Sequence, residues 1–193
     1  VEQYLTDPKR YDWRAIPLQG IANFTASLKH MKSRHLLLTQ FSILAPDMQH
    51  ALCASLENHQ IDEKVSSVLV NWYYQDTNDV KRLHSVLRGL CQSKARVVVN
   101  SFISLILSSE NGQINTGLML IAARHWLCMK EPAILALFVE QLAACEDQTF
   151  IGLYSDLVQI PEIRKPMLEV LRWPEKSPQL NQAIGQLFGQ KTS

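Results

Sequence analysis

Three apolar stretches follow one another in the middle of this chain, and they limit its possible folds more than any other feature. Between Ala95 and Ser108 only Arg96, Asn100, Ser101, Ser104 and Ser108 interrupt the apolar residues. Those polar positions recur about every four residues, so on a helix they form one narrow stripe on a rod that is otherwise apolar. Residues 114–129 and 133–145 have the same character. Rods of this kind belong inside a protein, between amphipathic neighbours.

A strand reading competes for the first stretch. Val97, Val98 and Val99 favour extended backbone, and Asn111-Gly112 between two apolar runs is a hairpin signal. The run is too long for it, since a typical strand has roughly five or six residues. Ser93 suits a helix N-cap and Gly112 a C-terminal stop. The expectation is therefore helix.

Amphipathic segments surround this centre. Val65, Val68, Leu69, Trp72 and Tyr73 recur at the i, i+3, i+4, i+7, i+8 spacing of one helix face, behind Asp62 as a cap. Val80, Leu83, Val86, Leu87 and Leu90 form another, with Asn78 as its expected cap. Leu18, Ile21, Phe24 and Leu28 give a face near the start. Phe150, Leu153, Tyr154, Leu157 and Val158 give one near the end, and Leu180, Ala183, Ile184, Leu187 and Phe188 the last. Pro46, Pro132 and Pro161 sit where a first helical turn accepts proline, whereas Pro166 should restart or bend its helix. Residues 1–13 read as an arm or linker containing at most a short helix. Lys29 to His35 reads as a basic link.

Helix starts then fall near 46, 62, 79, 94, 113, 132, 148, 162 and 178. Short connections make neighbours antiparallel, and two steps span about 30 to 38 residues, the length of a HEAT or tetratricopeptide hairpin. The fold expected is a single all-α domain over residues 1–193. Its helical hairpins stack as a short HEAT-like α-solenoid or form an irregular bundle.

A chain of 193 residues that is 47% hydrophobic and 19% charged buries on the order of 70% of its unfolded surface as one globular body. Its net charge of +1 supplies no general attraction to nucleic acid or acidic membranes. No window is long and apolar enough for a membrane span. Cys53, Cys91, Cys128 and Cys145 lie far apart on apolar segments, which reads as reduced thiols in a cytoplasmic protein.

Candidate sites are few. His50-x-x-Cys53 and His125-x-x-Cys128 each place two ligand types on one helix face, but zinc requires three or four, so no metal and no cofactor is expected. Neither a Gly-x-Ser-x-Gly elbow nor a glycine-rich phosphate loop is present. Lys81, Arg82, Arg88, Lys94 and Arg96 fall in a segment without acidic residues, a candidate face for an acidic partner or for phosphates. Arg124 interrupts an apolar run beside His125, so it should be buried and paired with Glu140 or Asp156. Of Trp72, Tyr73 and Tyr74 only two can face inward, which leaves Tyr74 as an exposed anchor for a partner.

Trp13, the run Leu18-Gln19-Gly20-Ile21-Ala22, His125-Trp126-Leu127 and Leu153-Tyr154-Ser155-Asp156-Leu157 resemble the C-terminal part of an uncharacterised proteobacterial family of unknown function. The resemblance implies a longer natural protein and carries no activity or catalytic residue with it. Val1 in place of methionine likewise suits a processed form or fragment.

The expected function is a non-catalytic interaction or scaffold module whose partner is another protein. A nucleic-acid-binding helical protein using the basic segment 81–96 is the alternative, and an enzyme with its site near Arg124 and His125 a second.

Overall fold

The computed structural model describes residues 1–109 and 114–189. Twelve α-helices run through these residues, and no strand occurs among them. The all-α expectation holds. Helices stand on both sides of Asn111, so the hairpin alternative fails. Gly112 itself, the expected helix stop, lies outside the described residues.

Two compact units divide the chain, Val1–Val99 and Asn100–Ser193. The first contains α1 (Glu2–Thr6), α2 (Leu18–Ala26), α3 (Met31–Gln40), α4 (Pro46–Leu56), α5 (Glu63–Tyr74) and α6 (Val80–Gly89). Here α1 packs on α3 and α3 on α5, while α2 packs on α4 and α4 on α6, with α5 against α6. Odd helices thus form one row and even helices another.

Local chemistry explains the helix starts. Asp62 Oδ1 accepts the Val65 N–H at 3.1 Å, and Asp79 Oδ1 accepts that of Arg82 at 3.0 Å. Asp79 therefore caps α6, one residue after the expected Asn78. Both residue types suit the position, and an apolar face that starts at Val80 does not by itself say which of the two precedes the first turn. Pro46 opens its helix as expected.

The short helix expected within residues 1–13 is α1, and it is anchored: Tyr4 and Leu5 are buried and the Tyr4 hydroxyl accepts the Ala45 N–H at 3.2 Å. One expectation for the first unit needs correction. The basic link is helical from Met31 onward. Lys32 reaches Glu2 at 2.7 Å and Arg34 reaches Asp62 at 2.6 Å, so neighbouring carboxylates offset the clustered charge.

Gly89 marks the tightest helix approach in this unit. A Cβ there would come within 2.9 Å of Leu69 Cδ1 and 3.5 Å of the Cys53 Cα. Burial pushes the Cys53 thiol far above its ordinary range, so it stays protonated and inert.

The helix α7 (Arg96–Ser108) crosses from one unit to the next. Ser93 sits before it, and its Oγ accepts the Ala95 N–H at 3.1 Å. Val99, Phe102, Ile103, Ile106 and Leu107 are buried, but Val97 and Leu105 are exposed. The helix is thus buried on one face and not all round.

In the second unit, α8 (Ile114–Arg124), α9 (Pro132–Ala143), α10 (Asp147–Gln159), α11 (Pro161–Val170) and α12 (Pro178–Gly189) follow. The expected helix over 114–129 ends early: the chain turns at His125 into a 3-10 segment, Trp126–Lys130, before Pro132 restarts it. α9 touches α8, α10, α12 and that 3-10 segment, and so occupies the centre. Pro166 lies within α11 without restarting it.

Candidate functional site

The apolar stripe of α12 does not stay buried along its whole length, and α11 carries an apolar residue outside its buried face. On α12 Leu180 and Ala183 are in the core, but Leu187 is half-buried and Phe188 is 56% exposed. On α11 Ile163, Met167 and Val170 face inward, whereas Leu168 points outward and is 44% exposed. Leu168, Leu171, Leu187 and Phe188, together with Ile151, Tyr154 and Val158 of α10, line a groove of about 440 Å³. Its size falls within the range of small-ligand and side-chain pockets.

Polar ties hold the three helices that frame it. The buried Tyr154 hydroxyl donates to the Met167 carbonyl, linking α10 to α11. Arg164 donates to the carbonyls of Val158 and Gln159 at 2.9 and 3.0 Å, closing the end of α10. Lys176 does the same for Leu171 and Trp173 after α11. Ser177 Oγ accepts the Leu180 N–H at 3.0 Å at the start of α12, and it donates to Glu140 of α9. Desolvation pushes the Tyr154 phenol up to about 12, so it donates its proton at all ordinary pH values.

The groove was only partly legible. Tyr154, Val158, Leu187 and Phe188 belong to expected apolar faces, but Ile151 and Leu168 each fall one position after a buried residue, Phe150 and Met167. An apolar residue just off an inward stripe was the available signal.

The sequence-derived candidates are dispersed. Tyr74 ends α5 and is 49% exposed, while Trp72 and Tyr73 are buried, as their spacing requires. Lys81 pairs with Asp47 at 3.3 Å and Arg88 with Glu57 at 2.7 Å. Arg82 lies over the Trp72 ring, 5.0 Å from its centroid, donates to the Trp72 carbonyl and stands 3.7 Å from Asp79. Lys94 and Arg96 are exposed.

Arg124 is a correction. It is exposed at the last turn of α8, where a cation complements the helix dipole, and its burial was inferred from a helix that in fact stops there. Glu140, one of its expected partners, holds Ser177 instead. His125 is 1% exposed, so the two adjacent side chains diverge and do not converge on a common substrate. Among the described residues, no three histidine, cysteine, aspartate or glutamate side chains come together as a metal-ligand set.

Residues 1–188 match the model of a family described as a protein of unknown function, DUF3549. The chain belongs to the DUF3549 family. The expected kinship with an uncharacterised family therefore holds, and it assigns no chemistry to the groove. No curated protein and no solved structure matches the chain. For this DUF3549 chain, none of the helices among the described residues is long and apolar enough to cross a membrane.

His50 provides a pH test of the first unit. Its Nδ1 lies 2.8 Å from Ser85 Oγ and its ring meets the Trp72 ring at 5.2 Å. Burial, then the nearby Lys81 charge, holds its pKa below the ordinary 6.5, and burial does the same to His84. The unfolded chain therefore binds these protons more readily than the native state. This contribution to stability is complete above about pH 6.5 and falls as the pH drops through that value. Urea midpoints at pH 7.5 and 5.5 should show the loss, and His50→Gln should flatten the difference. An unchanged difference in the variant would show that His50 is not its source.

Proposed function

We propose that this protein is a non-catalytic cytoplasmic interaction module whose α10–α12 groove receives apolar side chains of a partner protein. What carries the reading is the exposure of Phe188 and Leu168 over a groove whose frame is held by polar ties. Large exposed apolar side chains gathered at one concavity are the usual basis of protein recognition. Two or three apolar residues on one face of a short helix fit such a groove, the helix-in-groove mode. The four free thiols suit a reducing compartment.

A nucleic-acid interface along 81–96 has less in its favour. Lys81, Arg82 and Arg88 each stand beside a carboxylate, which reduces the charge available to phosphates.

Peptide display provides the test. Selection on the full chain, with counter-selection on a Leu168→Asp/Phe188→Asp variant, should enrich peptides with apolar residues at helical i, i+3 or i+4 spacing. Those peptides should bind the variant at least tenfold more weakly, because two buried apolar contacts are worth more than the 1.4 kcal/mol of one decade. Both positions are exposed, so the fold survives, which circular dichroism checks. Equal binding to both proteins would remove the groove as the interface.

A further inference from the structure

The two basic segments of the first unit, far apart in sequence, meet at a second concavity. Lys29, from the 3-10 turn Ser27–Lys29 after α2, Arg34, from α3, and Lys94, just before α7, line a cleft of about 470 Å³. Leu28, Ile61 and Val65 contribute apolar surface to it and Gln60 an amide. This cleft lies in the other unit from the α10–α12 groove and does not depend on the role proposed for that groove.

Its walls are fixed by the backbone. Ile61 forms an isolated parallel bridge with Ser93, and the Lys94 N–H donates to the Ile61 carbonyl at 3.0 Å. The buried Ser93 hydroxyl pairs with that of Ser66 at 2.7 Å. Lys94 therefore projects from an anchored segment.

The charge balance in the cleft is positive. Asp62 also lines it, but its carboxylate is already engaged twice: Oδ2 takes Arg34 Nε and Nη2 at 2.7 and 2.6 Å, and Oδ1 caps α5. Burial raises its pKa, and the Val65 N–H and Arg34 more than reverse that, so it remains ionised. Arg34 and Asp62 cancel. Lys29 and Lys94 have no carboxylate partner among the described residues, which leaves two positive charges facing one concave space.

We propose that this cleft binds a small phosphate monoester. Lys29 and Lys94 pair with the phosphate oxygens, and the apolar residues and Gln60 meet the organic portion. A dianion matches two ammonium groups, whereas a monocarboxylate leaves one uncompensated. The cleft has the volume of a small-molecule site.

The test is an amide NMR titration of the full chain with glycerol 3-phosphate, with glycerol as the uncharged control. Saturable shifts are expected at Gln60, Ile61 and Lys94 with the phosphate compound and none with glycerol. Lys29→Gln or Lys94→Gln should each weaken binding about tenfold, the value of one hydrogen bond to a charged group. The double variant should abolish it, while Lys165→Gln in the second unit changes nothing. Added NaCl should weaken it further. No saturable shift at these residues, or equal affinity in the double variant, overturns the proposal. So does a single-stranded oligonucleotide that occupies the cleft while glycerol 3-phosphate does not, since the ligand is then a polymer backbone.

Discussion

Replacing Trp72 with alanine is expected to destabilise the fold by about 3–5 kcal/mol. The ring is 2% exposed and serves as a junction for three elements. Phe41 meets it edge-on at 5.3 Å, His50 at 5.2 Å, and the Arg82 guanidinium lies 5.0 Å from its centroid. Alanine removes the largest apolar area in this unit and leaves a cavity among residues held by helices on both sides. It also uncovers a cation that the ring face had stabilised. Trp72→Phe keeps part of the volume and should cost less. Arg82→Ala removes the ring contact and the bond to the Trp72 carbonyl, for about 1–2 kcal/mol. Urea unfolding measures all three. A Trp72→Ala cost below about 1 kcal/mol would mean that the ring is not the junction described.

Phe138→Ala should cost about as much in the second unit, again about 3–5 kcal/mol. Phe138 is fully buried on α9, whose buried face also carries Ile134, Leu135, Val139 and Leu142. The cavity has little way to collapse, because α8, α10 and α12 all lean on α9. Phe188→Ala provides the contrast. The same residue type, more than half exposed at the end of α12, should change stability by no more than about 0.5 kcal/mol. Its loss should instead weaken whatever binds the groove. Similar unfolding costs for the two substitutions would contradict the exposure assigned to Phe188.

Much of this architecture could be read from residue types. Asp62 as a cap, the prolines at first turns and the inward set Val65, Leu69, Trp72 all follow from local rules: a side chain reaching a free N–H, a fixed φ, a period of 3.6. Such signals act within one helix, and so they survive in a one-dimensional reading. The errors arose where two local solutions were equally good. Asn78 and Asp79 can each cap α6. The apolar run through His125 continues in sequence although the backbone turns. Burial of Arg124 follows only if its helix continues past it, and the backbone turns at His125 instead.

Sites were less legible, since a site is a meeting of distant segments. Lys29 and Lys94 were each marked as parts of basic segments, but their convergence depends on the Ile61–Ser93 bridge. Lys81, Arg82 and Arg88 looked like one basic face and are instead held beside Asp47, Asp79 and Glu57. The exposure of Phe188 and Leu168 was invisible for a similar reason: an apolar stripe announces that something should cover it, not whether this chain does.

The helical class, most helix starts and the inward faces are written in residue order, because they follow from backbone hydrogen bonding and side-chain periodicity within about a dozen neighbouring residues. Which charges are neutralised, where the basic segments converge and which apolar surface stays open emerge only once the helices pack. Those depend on contacts between residues far apart in the chain, whose strength changes with burial and distance, and neither quantity is written in the order of the residues.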